Sequence, residues 1–430
     1  MPLFSIKINN SDGSLDFLSR DFIFNLVLPY LIGFLLVLTT NTLPGMSLRM
    51  DSVLLLAVVF VCLIVTAYAW ILIPIDLNAL GRWICWALLL LTTYCLVAIG
   101  SHSNSIRGFA SILIFVIMPL VFIVVRKAGA QDRYISAFVD IMSIIAVISI
   151  AVWILGPVFH LIEPNCTIIS AWSGNGRIRN VVGYFNLSYN TQWQNLPTGA
   201  GVYRNTSIFA EAPMYSYALC CALIAEIYFR DQVLRFNRCI VLTIAILTTF
   251  SSTGIIFLLG IGLSLALGRV HSAEKNVRIF LSLLLVILFI FFSILALIVL
   301  DNKLQSSSGS TRLDDFVAGY RAWSHSPIFG YGFDNADVVK KYMSAFRADN
   351  LGFSSGLFQI LVLGGLVLLM PYVISFYGLF RTAISRSWIV VLLLMFLMVI
   401  TVVPFLPLSF FMLSFGVSYL LDRVEYAVDL

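Results

Sequence analysis

The sequence predicts an all-α membrane protein with about twelve transmembrane helices, on the evidence of composition, apolar runs and charge distribution. The chain has 430 residues, of which 60% are hydrophobic and 11% are charged. An average soluble protein has about 25% charged residues. Because so few charges cannot cover the surface of a water-soluble fold, lipid must solvate most of the surface of this protein. We expect residues 1–430 to form a single integral membrane domain.

Twelve apolar runs are candidate membrane spans, since a helix needs about 20 mainly apolar residues to cross the hydrocarbon core. Two pairs are interpreted as separate short helices, because Ser251 to Gly254 and Pro404 with Pro407 interrupt the apolar pattern. The predicted spans are 22–40, 52–75, 83–100, 109–125, 137–156, 210–228, 238–250, 254–268, 279–300, 356–380, 388–404 and 406–421.

The distribution of Lys and Arg orients these spans. With an even number of helices, most basic residues between spans lie on the same side as both termini. The short loops on the other side carry only Arg49 and Arg107. Cytoplasmic loops are enriched in Lys and Arg, so we expect both termini in the cytoplasm. Within the membrane we expect Glu226 to pair with Arg230, four residues further along the helix.

Two long loops fall on the outer face of this topology, at 157–209 and 301–355. Each has about fifty residues, far more than an ordinary connection between helices. The first is rich in amide and aromatic side chains. The second has apolar residues at helical spacing, which predicts an amphipathic helix at the outer membrane interface. These apolar residues are Leu313, Phe316, Val317, Tyr320 and Trp323.

The junction between the first long loop and the next span carries Arg204 and Glu211. A guanidinium group has a planar set of donors that suits phosphate. A carboxylate near the start of a span is costly unless it is paired. The two residues therefore form either part of a phosphate-binding site or an ion pair that anchors the helix at the interface.

The second long loop offers further charged candidates. Arg312 and Arg321 would join Arg204 in a cationic pocket, which suits a pyrophosphate leaving group because its developing charge needs prepositioned donors. His325 is a candidate general base near neutral pH, or alternatively a helix cap.

Asp314 and Asp315 are candidate bases too, or alternatively favourable charges in a first helical turn. No spacing of His, Cys and acidic residues indicates a metal site, and no glycine-rich phosphate loop is present. We therefore expect neither a metal nor a cofactor, and the modest net charge of +5 indicates no nucleic-acid partner.

The order of four motifs resembles that of the superfamily of O-antigen polymerases (Wzy-type) and O-antigen ligases. An Arg, Ile-Phe, Glu and Pro element at 204–213 leads into a span, and a Ser-Thr-Gly turn follows at 252–254. A Ser-x-Arg element and a Trp-Ser-His-Ser-Pro-Ile-Phe-Gly-Tyr-Gly run lie within 310–332. Leu-Phe-Gln-Ile-Leu-Val-Leu-Gly-Gly-Leu then opens a span at 357–366.

This resemblance implies a metal-independent glycosyltransferase with a GT-C-like multi-span fold in the bacterial inner membrane. Its large loops would be periplasmic, and its donor would be a glycan linked to undecaprenyl pyrophosphate. By position, Arg204 and Arg312 match the family arginines that contact the donor pyrophosphate, and Arg321 with Gly332 fits an Arg-x(10)-Gly spacing. The implied partners are the lipid-linked oligosaccharide, membrane lipid, a chain-length regulator and a flippase.

One departure from the family favours a polymerase over a ligase. Ligases carry a His-Asn pair just before the Leu-Phe-Gln-Ile segment, where this chain has Ser354 and Ser355. A serine is no general base at neutral pH, so the base remains open among Glu211, His325, Asp314 and Asp315. The polymer would be O-antigen of lipopolysaccharide, capsule or exopolysaccharide.

Aromatic, amide and basic side chains of the first long loop are the candidates for holding sugar rings. They are Trp172, Arg177, Arg179, Tyr184, Trp193 and Tyr203.

Two other classes of protein remain as alternatives. A transporter or flippase is expected to show repeat symmetry, broken helices and charges at mid-membrane, whereas the charges here are concentrated in the loops. A non-catalytic scaffold would tolerate replacement of Arg204 and Arg312.

Overall fold

A computed structural model describes residues 22–47, 51–72, 76–170, 179–195, 201–230, 233–271, 307–347, 351–383 and 388–423. The architecture is a bundle of apolar helices, with short strands between the sixth and seventh helices. In chain order the helices are Ile23–Leu38 (α1), Leu43–Ser47 (α2), Asp51–Leu72 (α3), Leu77–Ser101 (α4), Ile106–Lys127 (α5), Gln131–Val158 (α6), Ala212–Phe229 (α7), Phe236–Thr248 (α8), Ser252–His271 (α9), Ser307–His325 (α10), Gly356–Ala383 (α11), Trp388–Ile400 (α12) and Pro407–Asp422 (α13).

The helices support a polytopic membrane protein. Within the described ranges, six helices are long and apolar enough to cross a membrane, and five more are apolar with 10–17 residues. They coincide with eleven of the predicted spans. The remaining predicted span, 279–300, lies outside the described residues, so the total of twelve stays a prediction. The two predicted interruptions are confirmed, since α8 and α9 are separate helices, as are α12 and α13.

The centre of the bundle is formed by α5 and α7, which are buried on nearly all sides. Phe115 and Phe122 of α5 pack on Phe410 and Phe411 of α13, with ring centroids 4.6 and 4.9 Å apart. A helix that is apolar all round belongs in such an interior position. Glu211 directly precedes α7 and therefore lies at the start of this buried helix.

The first long loop corrects the expectation of an all-α protein. It contains strands Cys166–Ser170 (β1), Arg179–Tyr184 (β2), Ser188–Tyr189 (β3), Trp193–Asn195 (β4) and Gly201–Tyr203 (β5). These form an antiparallel sheet in the order β1-β2-β3 and a separate β4-β5 hairpin. Short hairpins pair backbone amides locally, which a long loop packed on a membrane domain requires. The fold is therefore mostly helical rather than all-α.

A helix, α10, stands where the sequence predicts the amphipathic helix of the second loop, and its two carboxylates face inward. Leu313, Val317 and Tyr320 are 59%, 39% and 56% exposed, whereas Asp314 and Asp315 are buried. The carboxylates turn inward because they have polar partners in the segment that follows. An apolar stripe directed away from the protein suits a helix that contacts the membrane interface.

Helix α11 is broken at Gly365, where φ is +61° and ψ is −156°. Backbone groups freed by such a break are tolerated at membrane depth only when protein satisfies them. Segment 327–332, the Pro-Ile-Phe-Gly-Tyr-Gly motif, supplies the partners. The amides of Tyr331 and Gly332 donate to the carbonyls of Val362 and Leu363 at 2.8 and 2.9 Å, and those of Leu366 and Val367 donate to the carbonyls of Pro327 and Ile328 at 2.9 and 3.2 Å. The two sequence motifs thus form one structural unit.

This pairing predicts that Gly365→Ala destabilises the protein. An added Cβ would collide with the Ile328 carbonyl oxygen, and the positive φ alone costs an L-residue about 1–2 kcal/mol. We expect a lower Tm in detergent. Gly81→Ala is the control, since a Cβ there meets no atom within 4 Å. Equal Tm values for the two variants would contradict the role given to Gly365.

Candidate active site

The segment 204–211 is held between the helices and the first loop. The backbone amide of Asn205 donates to the Thr248 carbonyl at 3.1 Å, and its Nδ2 donates to Thr248 Oγ1 at 3.0 Å. On the other side, Thr206 Oγ1 donates to the Tyr189 carbonyl at 2.6 Å. These bonds fix Arg204 at one end of the segment and Glu211 at the other.

Arg204 lies at the C-terminal end of α8. Its Nε donates to the carbonyl of Thr249, the C-cap of that helix, at 2.7 Å. The C-terminus of a helix carries partial negative charge, which favours a cation. The two Nη nitrogens make no hydrogen bond or ion pair with any residue that the structure describes. The helix therefore orients the guanidinium while leaving its fork available for a ligand.

Arg204, Glu211 and Arg312 come together although Arg312 is more than a hundred residues further along the chain. The pKa of Arg204 is lowered to about 10, chiefly by burial; the Glu211 carboxylate raises it, whereas the Arg312 guanidinium lowers it further. Arg204 still carries its charge at neutral pH. Two neighbouring guanidinium groups repel each other, and an anion bound between them would relieve that repulsion. The arrangement suits a phosphate or pyrophosphate group.

Glu211 is the N-cap residue of α7, but its side chain does not cap the helix. Instead the Ala212 amide donates to Gln192 Oε1 at 3.0 Å. The Glu211 backbone carbonyl accepts from the amides of Met214 and Tyr215, both at 3.2 Å. The carboxylate therefore does not cap the start of the helix. Its negative charge raises the pKa of Arg204.

The end of α6 borders the segment that carries Arg204. Trp153 of that helix packs on Phe250 at the tip of the α8-α9 hairpin, with ring centroids 6.0 Å apart. Its indole Nε1 donates to the Tyr203 carbonyl at 2.7 Å. Arg204 and Arg312 are both half-buried. Partial exclusion of water strengthens their attraction for an anion.

Asp314 and Asp315 belong to a buried cluster, here called the loop clamp, with Ser344, Arg347 and Ser354. Asp315 accepts from Arg347 Nη1 at 2.8 Å, from the Ser354 amide at 3.0 Å and from Ser354 Oγ at 2.5 Å. Asp314 accepts from the Ser344 amide and Oγ and from Arg347 Nη1. Burial raises the pKa of Asp315, and its hydrogen bonds with Ser354 and Arg347 oppose that shift. Both carboxylates face inward, which favours a structural role over proton abstraction.

Arg321 and His325 are not brought to the arginine pair. Arg321 follows Arg312 by nine residues, which places it about 13 Å further along α10 and half a turn around it. His325 Nδ1 lies 2.7 Å from the Arg321 carbonyl, and its ring packs on Tyr342. His325 therefore takes the helix-capping alternative, and Arg321 lies outside the cationic pocket.

The glycan candidates divide by exposure. Trp193 on β4 is 56% exposed and packs edge-to-face with Tyr203, with ring centroids 4.9 Å apart. Arg179 is exposed, and its Nη2 donates to the Thr191 carbonyl at 3.2 Å. Tyr184 is buried and packs on Gly156, so burial assigns it to packing rather than to sugar contact. Trp172 and Arg177 lie outside the described residues.

Sequence reasoning missed Arg347 and the Thr249 carbonyl. Arg347 is 1% exposed, but in the sequence it is one of several basic residues in a polar loop. The carbonyl belongs to a backbone, so no side-chain type indicates it. The Ser-Thr-Gly motif beside Thr249 was the available signal.

The comparison with protein families agrees with the motif order. Residues 239–373 match the model of the Wzy_C family, described as O-antigen ligase. The match covers roughly a third of the chain, from α8 into α11, and includes Arg312 and the loop clamp, whereas Arg204 and Glu211 precede it. No curated protein matches the chain. The family match supports the superfamily of O-antigen ligases and polymerases, and it indicates a membrane enzyme of polysaccharide assembly.

Proposed function

We propose that this protein is a polysaccharide polymerase of the bacterial inner membrane. It transfers a growing glycan from undecaprenyl pyrophosphate to the non-reducing end of a lipid-linked repeat unit at the periplasmic face. The observation that carries the proposal is that Arg204 and Arg312 lie close enough for their charges to interact, while the Nη donors of Arg204 bond to none of the residues that the structure describes. The family match on residues 239–373 supports the same class of reaction.

The transfer breaks one bond and forms another. A hydroxyl oxygen of the acceptor sugar attacks the anomeric carbon of the donor, and the bond from that carbon to the pyrophosphate oxygen breaks. Undecaprenyl pyrophosphate leaves with the bonding electrons, and the hydroxyl proton passes to a base. Arg204 and Arg312 stabilise the charge that develops on the leaving group.

Glu211 is the base that the geometry favours. It lies next to Arg204, whereas Asp314 and Asp315 are held in the loop clamp. His325 follows Arg312 by thirteen residues along α10, about 20 Å at the rise of a helix. A weak base is sufficient here because the leaving group is already good.

Ligation is the second candidate, because the matching family model is described as O-antigen ligase. Ser354 counts against it. This serine occupies the position at which the family resemblance leads us to expect a His in a ligase. Its hydroxyl donates to the buried Asp315. We therefore place polymerisation first, and a transport or flippase function third.

An apolar groove of about 360 Å³ lies between α7, α8 and α9. Its lining includes Ile244 and Gly262. Ile244 precedes Thr249 by five residues, so the groove begins about 7 Å from the carbonyl that holds Arg204. We propose that part of the polyprenyl tail occupies it, since the attached pyrophosphate would then reach the arginine pair.

Filling this groove is expected to weaken donor use. Gly262 lines the groove, and a Cβ there meets no atom within 4 Å, so Gly262→Phe is a means of adding bulk to the groove. We expect the KM for the lipid-linked donor to rise, because a ring that occupies the groove displaces the tail and draws the attached pyrophosphate away from Arg204. Gly81→Phe, at an open position outside the groove, is the control. An unchanged KM for Gly262→Phe would exclude the groove as a tail site.

Trp193, Tyr203 and Arg179 are proposed to contact the glycan, and a chain-length regulator and a flippase are proposed as partners.

The experiment that tests the function is deletion of the gene in its host, followed by gel separation of surface glycans and lipid-linked intermediates. A polymerase deletion reduces long ladders to single repeat units. Long chains that persist on the lipid carrier would instead indicate a ligase. Unchanged glycans would overturn both assignments.

A further inference from the structure

We infer that Arg347 is a positioning residue, which acts through the loop clamp to hold Arg312 in the pyrophosphate site. The inference rests on the proposed function, because it concerns how that site is assembled. Arg347 contacts neither the substrate nor the reacting atoms. It holds in position Arg312, which is proposed to contact the pyrophosphate.

Arg347 is anchored to both sides of the loop. Its Nη1 donates to the Thr311 carbonyl at 2.9 Å and to Asp315 Oδ1 at 2.8 Å, within the first turns of α10. Its Nη2 donates to the Gly352 carbonyl at 2.5 Å, in the segment that leads into α11. One side chain therefore joins the start of α10 to the start of a membrane helix.

Arg312 lies inside the part of α10 that Arg347 holds. Thr311 precedes it directly, and Asp315 follows it by three residues, on the same face of the helix. The Ser354 hydroxyl adds a second bond to Asp315 at 2.5 Å. Part of the apolar stripe of α10 faces away from the protein, since Leu313 and Tyr320 are more than half exposed. Among the described residues, only Phe316 and Trp323 of the stripe pack on neighbouring segments. The clamp is thus a main polar attachment of the Arg312 turn to the bundle.

Only arginine can make this set of contacts. A planar guanidinium presents several donors in fixed directions, whereas a lysine presents a single charged point. Arg347 is also 1% exposed, so its removal leaves Asp315 buried without its ion-pair partner. The start of α10 would then shift relative to Arg204.

The test compares Arg312→Lys in two backgrounds, the natural chain and Arg347→Ala, by kcat/KM for a lipid-linked donor. In the natural chain the lysine loses the bidentate fork, and we expect about a tenfold reduction. In Arg347→Ala, where residue 312 is already displaced, we expect the same replacement to cost less than about threefold, as for two residues that act as a unit.

Two outcomes overturn different statements. An equal tenfold loss in both backgrounds would show that Arg347 acts independently of Arg312, which refutes the inference and leaves the proposed function intact. No loss in either background would refute the pyrophosphate site itself. Asp315→Asn, which keeps the shape of the partner, replaces Arg347→Ala if that variant fails to fold. Asp337→Asn, which breaks an exposed ion pair with Lys340 in the same loop, is expected to leave every value unchanged.

Discussion

Replacing Arg204 with alanine is expected to abolish polymer formation while the protein remains at its normal level in the membrane. Among the described residues, the side chain makes one hydrogen bond, from Nε to a helix C-cap carbonyl, so its loss removes little structure. The lost Nη donors would otherwise bind the leaving pyrophosphate. Removal of one prepositioned donor of this kind typically costs about 100- to 1,000-fold in rate.

Arg204→Lys separates charge from geometry. The lysine keeps the cation but loses the fork that binds two phosphate oxygens, so partial activity is expected. Lys340→Ala removes an exposed cation of the second loop and should not change polymer length or amount. The measurement is the yield of polymer from purified lipid-linked repeat units. Full activity of Arg204→Ala would remove the proposed site and bring scaffolding or transport forward.

Replacing Glu226 with alanine is expected to give the largest loss of stability. Glu226 is fully buried between α7 and α8, where it bonds to Arg230 and Arg238. Its Oε1 also accepts from the Arg235 amide at 3.0 Å. Asp140 of α6 pairs with Arg238 as well. The pairing of Glu226 with Arg230 that helical spacing predicts is thereby confirmed.

The physical reason is that the alanine removes the buried carboxylate that Arg230 and Arg238 share. Removal of one partner of a buried ion pair costs about 3–5 kcal/mol. We expect a Tm in detergent that is many degrees lower, together with reduced protein in the membrane. Glu226→Gln keeps the shape but not the charge and should give an intermediate Tm.

Tyr30→Phe is the control for this network. The Tyr30 hydroxyl donates to Asp140 Oδ2 at 3.0 Å, and the loss of one such bond costs about 1 kcal/mol. A Tm for Glu226→Ala as high as that of Tyr30→Phe would show that the network contributes little to the fold. The network also fixes the start of α8, whose other end orients Arg204.

The sequence alone determined the membrane class and the positions of the helices, because apolar runs of sufficient length need lipid on the outside. It also determined the helix of the second loop and the two short-helix pairs, since helical spacing and Pro or Gly interruptions are local properties. The order of motifs pointed to the polymerase and ligase superfamily, which the match at residues 239–373 supports.

Only the tertiary structure decided which charged side chains lie near one another. Nothing local distinguishes Arg312, which reaches Arg204, from Arg321, which lies half a turn away on the same helix. By sequence, Asp314 and Asp315 are candidate bases. In the fold they are bound by Arg347 and Ser354, which lie about thirty to forty residues further along the chain. Contacts of this kind depend on how distant segments pack, and the energy of burying a charge is set by those partners rather than by its neighbours in the sequence.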